Sequence, residues 1–402
     1  MVARVAKMLP EGWKRCPLGD IAHITSGGTP DRSEPSYWGG DVPWVTTGEI
    51  RFNTITDTKE KITDAGVKNS AAKLFPPGTL LMAMYGQGKT RGQVAKLGIA
   101  ASTNQNSAAI HLHDGHLSDF YFQYLWWKYE AIREFGQSGG ISHLNAGLLK
   151  QISVPVAPTS EQQRIGRLLA TWDRAIATTE RLLMNSLKQK RALMRELLKP
   201  RSKGGGWYVT RLGDLFAERV EAVRDDLPLL SITRDEGVIL RSDVGRKDTS
   251  NDDKSKYLRI CKGDIGYNTM RMWQGVSALS SLEGIVSPAY TVLVPNEKVD
   301  AKFAAYLFKL DSMVFQFYRH SQGMVSDTWS LKFKHFAQIK VTIPGRKEQK
   351  RIVEVLAASD CTIEALKGEL GRLQREKQGL MQQLLTGKRR VGLSKAAEAA
   401  RS

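Results

Sequence analysis

The sequence predicts an α+β chain. Two globular mixed α/β modules alternate with two long helices, and the helices pair as an antiparallel intramolecular coiled coil, giving a pseudo-two-fold tandem repeat. Three observations predict this. A long stretch occurs twice, at Ile152–Leu198 and Ile339–Leu385, related by one ungapped offset of 187 residues. Both copies carry apolar residues at three- and four-residue spacing. Each is preceded by a segment with the same opening, GWKRCPLGDI from Gly12 and GWYVTRLGDL from Gly206. Repeats found first keep the fold from being misassigned.

The offset pairs Glu161 with Glu348, Gln162 with Gln349, Asp173 with Asp360 and Lys190 with Lys377. A register held without a gap marks a rod, because a loop absorbs insertions. Leu169, Trp172, Ile176, Leu183, Leu193 and Leu197 form a seam in the first rod. Leu356, Ile363, Leu366, Leu370, Leu373, Leu380 and Leu384 form it in the second. This a/d stripe is narrower than that of an ordinary amphipathic helix. Neither seam, Leu169 to Leu197 or Leu356 to Leu384, contains proline. A helix of about 38 residues is roughly 57 Å long and cannot bury its seam alone. The other copy is the natural partner. Lys190 and Lys377 fall at matching seam positions, where they either snorkel to solvent or fix the register.

Taken in order, residues 1–157 form the first module and 158–199 the first rod. Residues 200–206 are a flexible basic linker, KPRSKGGG being the surrounding sequence. The second module spans 207–344, the second rod 345–387, and 388–402 are a basic tail. In the first module, strand-like runs occur at Trp44–Thr46, Leu80–Tyr85 and Ala108–Leu112, with one aromatic-rich helix over Ser118–Phe135. Its stripe, Phe120, Tyr121, Phe122, Tyr124, Trp126, Trp127 and Tyr129, reads first as core. Long polar connections such as SGGTPDRSEPS and YGQGKTRGQ suit binding. The second module repeats the plan with strands at Leu229–Thr233, Asp264–Tyr267 and Thr291–Val294 and a helix over Ala301–Tyr318. Gly78–Tyr85 corresponds to Gly263–Met270, while the tips beyond them differ.

Lys and Arg number 59 against 41 Asp and Glu, a net charge of +18. A field of that sign favours a polyanion, with nucleic acid ahead of an anionic membrane surface. No apolar run approaches the roughly 18 residues of a membrane span. Three scattered cysteines, Cys16, Cys261 and Cys361, make no disulfide framework and no zinc motif, which fits the cytoplasm. AMYGQGKT (Ala83–Thr90) fits a loose phosphate-binding P-loop, but that motif needs a helix directly after it. Gly92 and Gly98 weaken one, and the second module has no counterpart. The favoured reading is a Gly-rich β-loop that presents Gln87, Lys89, Thr90, Arg91 and Gln93 to phosphates and base edges. His111 and His113 could share a strand face as metal ligands, although HLHDGH reads more readily as a solvated turn. No residue qualifies as catalytic, and no cofactor is implied.

Over nearly its whole length the chain resembles the specificity (S) subunits of type I restriction-modification systems. The resemblance rests on the tandem W-x4-L-G-D openings and on the lead-in segments PTSEQQRI and GRKEQKRI of the two rods. It rests also on the YGQGKTRGQ loop followed by ASTNQNSAAI. It implies a non-enzymatic reader of double-stranded DNA whose two target-recognition domains each recognise half of a bipartite target. The paired helices would set the spacer and dock two modification (methyltransferase) subunits, which methylate adenine. Restriction subunits would join for ATP-dependent cleavage. The expected DNA contacts are Gln87, Lys89, Thr90, Arg91, Thr103, Gln105 and Asn106 in the first module. In the second they are Asn268, Arg271, Trp273, Gln274 and Tyr290. The rival readings are a stand-alone DNA-binding protein without enzymatic partners, a P-loop enzyme and a basic interaction scaffold.

Overall fold

The structure is a computed structural model and describes residues 9–86, 88–135, 143–200, 206–221, 227–234, 236–245, 253–324 and 328–391. The chain divides into two units, residues 1–180 with 368–402, and residues 181–367. Each unit therefore holds one module, the first half of the rod that follows it and the second half of the other rod.

In the first unit the strands are β1 (Lys14–Pro17), β2 (Ala22–Ser26), β3 (Trp38–Val45), β4 (Thr54–Ile55), β5 (Glu60–Ile62), β6 (Leu80–Ala83), β7 (Val94–Leu97), β8 (Ser102–Thr103), β9 (Ser107–Leu112) and β10 (Ser153–Val156). The helices are α1 (Asp64–Lys68), α2 (Ser118–Trp127), α3 (Tyr129–Phe135), α4 (Ala146–Lys150) and the rod α5 (Thr159–Leu197). A five-stranded sheet has the order β2-β9-β6-β7-β4, and a smaller one the order β5-β3-β8. β6, at the centre of the five-stranded sheet, is buried on both faces. Its alternation feeds two cores. Leu80 and Met82 join Phe120, Tyr121 and Tyr124 of α2, with Leu169, Met381 and Leu384 from the rods. Leu81 and Ala83 join Val45, Ile50, Phe75 and Leu97.

The second unit contains β11 (Tyr208–Arg211), β12 (Phe216–Glu218), β13 (Leu230–Ile232), β14 (Val238–Leu240), β15 (Leu258–Ile260), β16 (Ile265–Asn268), β17 (Ser277–Leu279), β18 (Gly284–Val286), β19 (Tyr290–Pro295) and β20 (Lys340–Ile343). Its helices are α6 (Ala301–Leu307), α7 (Asp311–His320), α8 (Phe333–Phe336) and the rod α9 (Arg346–Leu384). The main sheet runs β12-β19-β16-β17. Ile265, Tyr267 and Leu293 face α6, α7 and the rods. Val292 faces Leu230, Ile232, Ile260 and Val286. The plan of the first unit is thus repeated. Each single helix expected after the main sheet is two: the chain turns at Lys128 and at Phe308–Leu310, and Glu130 and Asp311 start the next helices with acidic first turns.

The rods are antiparallel in each unit. In the first, Lys377 of α9 pairs with Asp173 of α5. In the second, Lys190 of α5 pairs with Asp360 of α9. The repeat makes these the same pair, each lysine bridging to the other copy's aspartate. Both seam lysines thus end in an ion pair with the other rod. Each aspartate is also gripped by its own module, Asp173 by the Gln123 amide and Asp360 by the Tyr306 hydroxyl at 2.6 Å. Lys377 lies 3.2 Å over the Trp126 ring. Burial pulls the Lys377 pKa down, and Asp173 opposes that.

A second matched device joins each module to the start of its rod. Gln162 is 1% exposed and accepts from Leu117 N (2.9 Å) while donating to Ala157 O (2.7 Å). Gln349 is fully buried and accepts from Asp300 N (2.7 Å) while donating to Pro344 O (2.8 Å) and Lys298 O (3.0 Å). Glu161 accepts from the Trp13 indole (3.2 Å) and from Arg390. The shared glutamine of the lead-ins is thus a matched clamp, while the tryptophan–glutamate contact belongs to the first module and Glu348 meets Arg351 instead (3.4 Å).

Candidate nucleic-acid interface

Three loops meet at one end of each main sheet, and the same two hydrogen bonds tie them. In the first module Met84 N donates to Asn106 O (2.9 Å) and Leu144 N to Met84 O (3.0 Å). In the second Thr269 N donates to Ala289 O (3.0 Å) and Leu331 N to Thr269 O (2.9 Å). The loop after the central strand, the loop before its neighbour and the loop after the second short helix therefore converge identically.

Around this frame the side chains differ. In the first module the loop from Met84 to Gln93 joins β6 to β7, so no helix follows it and the P-loop geometry is absent. It is braced from behind: the Tyr129 hydroxyl donates to Lys89 O, and Arg133 Nη2 donates to Gly88 O at 2.6 Å. Lys89 is exposed and Thr90 half-buried. Gln87 lies outside the described residues. Gln105 is exposed, with its amide oxygen accepting from the Thr29 hydroxyl, and Asn106 is half-buried. The chain at Gly27–Gly28 passes so near its neighbours that a Cβ would sit 2.0 Å from Thr103 O or 2.2 Å from the Ala71 carbonyl carbon. The GG of SGGTP is therefore a packing requirement.

Two expected contacts are interior instead. Thr103 is fully buried and spends its hydroxyl on Val45 O (3.0 Å), because it pairs with β3 as part of β8. Arg91 is 7% exposed, although it lies in the loop itself. In the second module Arg271 is exposed, and Asn268, Gln274 and Tyr290 are half-buried. Trp273 is a brace: its indole donates to Met270 O (3.0 Å) and its ring meets Trp329 edge-on at 5.4 Å. Trp329 in turn meets Tyr318 at 4.9 Å. Tyr290 lines a shallow polar cleft of about 430 Å³ with Ser287, Lys256 and Tyr257.

The sequence reading missed the third loop. It carries His143, stacked on exposed Tyr85 at 4.9 Å. It missed Arg32 too, which lies in the SGGTPDRSEPS connection. Arg32 is bidentate to Glu60 (2.7 and 2.9 Å) and 3.8 Å above the Trp38 ring. Its hydrogen bonds hold the Glu60 carboxyl below the usual range. Glu60 and the Trp38 ring together fix the orientation of this guanidinium. Among the described residues, no group of three His, Cys, Asp or Glu side chains could hold a metal, and no helix is long and apolar enough to cross a membrane.

A second surface lies where module meets rod. In the first unit an open cleft of about 800 Å³ is lined by Phe52, Phe122, Trp126, Asp173, Ile176 and Met381, among others. In the second unit a cleft of about 330 Å³ occupies the repeat-equivalent place, lined by Tyr306, Ala357, Asp360 and Cys361.

A family model described as the type I restriction modification DNA specificity domain matches the chain twice, over residues 10–189 and 205–375. The chain belongs to this family. Two full tandem copies of the specificity domain account for the repeated clamp and the repeated loop junction. Among specificity-subunit relatives, the MjaIX subunit of Methanocaldococcus jannaschii is 29% identical over 238 residues, a match spanning 52% of each chain. The MjaVIII subunit of the same organism is 24% identical over 95% of this chain and 94% of its own. The crystal structure of a type I restriction-modification S subunit from M. genitalium superposes with TM-score 0.61 at 14% identity, covering 97% of this chain and 99% of that one. A structure described as the basis of complex assembly and conformational transition of the type I R-M system gives 0.56 at 16% identity, covering 94% and 99%. These structures share the fold of this specificity chain.

Proposed function

We propose that this chain is the sequence-reading subunit of a type I restriction-modification complex and has no catalytic site of its own. Each module reads one half of a bipartite duplex target. The observation that carries this reading is the repeated loop junction. A junction tied by the same two backbone hydrogen bonds bears Tyr85 and Gln105 in one module and Met270 and Pro288 at the matching places in the other, and the loops beyond it, with Lys89 in one and Gln274 in the other, differ in length. Two related frames with unlike tips suit two different half-sites. The +18 charge supplies sequence-independent affinity that weakens with salt. Good bidentate contacts at the tips add about 1–3 kcal/mol of discrimination each.

The paired rods set the spacer between half-sites and dock two methyltransferase subunits, with restriction subunits joining the assembly. The module–rod clefts and the exposed apolar side chains Leu182, Met184 and Leu187 on α5 support a protein partner there. Matching seven-residue insertions after Glu180 and after Lys367 should lengthen the non-specific spacer and leave both half-sites unchanged. Altered half-sites with an unchanged spacer would overturn the ruler.

A further inference from the structure

Tyr85 and Met270 occupy the same place in the two repeats, one residue beyond the junction positions Met84 and Thr269. Both are large, apolar and exposed, at 41% and 47%. Polar and charged residues flank them on the converging loops, Lys89 and Gln105 in the first module and Arg271 in the second. Tyr85 and Met270 each sit on a braced support. The Tyr85 ring lies flat on His143, with 9° between the planes. The Met270 peptide is fixed from both sides, its N–H donating to Asn268 Oδ1 (3.0 Å) and its carbonyl accepting from the Trp273 indole (3.0 Å). A braced apolar tip amid polar contacts is what a wedge into stacked bases requires.

The geometry points to Tyr85 and Met270 as a pair of wedges, each pressing into one base step of its own half-site while the flanking residues hold base edges and phosphates. This rests on the reader function proposed above and adds a second source of specificity to it. A wedge favours steps that unstack easily, pyrimidine–purine steps above all, so each half-site would carry a shape preference at a position no polar side chain touches. A flat aromatic pair in one module and a thioether in the other would favour different steps.

The test uses the full-length chain co-purified with the subunits it binds in its host, and duplexes carrying its mapped target. 2-Aminopurine is placed in turn at each half-site position, with the methylated adenines left unlabelled so that extrusion of a target base is not mistaken for wedging. Binding should raise the fluorescence at one step in each half. Tyr85→Ala should abolish the rise in one half only and weaken binding on the order of tenfold, while Tyr85→Phe preserves both. Met270→Ala should do the same in the other half, with Met270→Leu preserving the signal. Target-specific binding without a fluorescence rise, or a rise that survives both alanine variants, overturns the wedges and leaves the reader intact. Alanine variants that bind DNA normally but lose their co-purifying subunits assign these side chains to a protein contact instead. A complex with no preference for its target removes the reader, and the wedges with it.

Discussion

Asp173→Asn strands a charge in the first unit, and the structure sets the size of the effect. The Lys377 side chain is 5% exposed, and Asp173 is its carboxylate partner. Removing one member of a buried pair costs about 3–5 kcal/mol, because the other charge stays buried and uncompensated. Removing both, with Lys377→Met and Asp173→Asn together, leaves no stranded charge and should return to within about 1 kcal/mol of the parent. The coupling energy of the cycle should then be at least about 2 kcal/mol. The repeat-equivalent pair is the internal control. Lys190 and Asp360 are 21% and 38% exposed, so solvent screens them. Asp360→Asn should lose only about 1 kcal/mol or less. Urea unfolding of the full-length chain, followed by tryptophan fluorescence, measures Asp173→Asn, Lys377→Met, their double variant and Asp360→Asn. Equal losses at the two pairs, or a double variant whose loss is the sum of its singles, would refute this account of the seam.

Three further outcomes follow from the same structure. Gln162→Ala or Gln349→Ala removes a buried amide whose partners include one buried carbonyl, Ala157 O or Pro344 O, and each should lower unfolding stability by about 1–3 kcal/mol. Burial, with His113 and Lys14 nearby, holds the His116 imidazole below the usual histidine value. The unfolded chain therefore takes up that proton more readily, so this contribution is intact above pH 6.5 and is lost as pH falls below it. His116→Gln should flatten that part of the acid-unfolding profile. Arg271→Ala, altering an exposed residue of the second module alone, should relax recognition of one half-site, read by binding to duplexes randomised at each half in turn.

The architecture was legible because it is periodic. An ungapped register exposed the rods, and the W-x4-L-G-D openings exposed the modules. The pairing of Lys190 with Asp360 and of Lys377 with Asp173 was not legible, although all four residues stood out in the repeat. Which copy's aspartate meets which lysine depends on antiparallel packing, a long-range fact. The candidate interface was half-legible. The Gly-rich loop and the segment at Gln105–Asn106 announced themselves by composition. Thr103 and Arg91 looked the same in sequence but are buried, since a two-residue strand and a loop leave no periodic trace. Tyr85–His143 was missed because its members lie far apart in the chain and meet beside the Leu144–Met84 hydrogen bond, a long-range contact.

The most direct measurement of the central claim is a map of methylated adenines in the host genome, made with the gene intact, deleted and carrying Arg271→Ala. Two separate readers predict a bipartite motif that is present with the intact gene and absent without it, and that loses definition in one half only in the variant. A methylation pattern indifferent to the gene, or both halves degrading together in the variant, contradicts it.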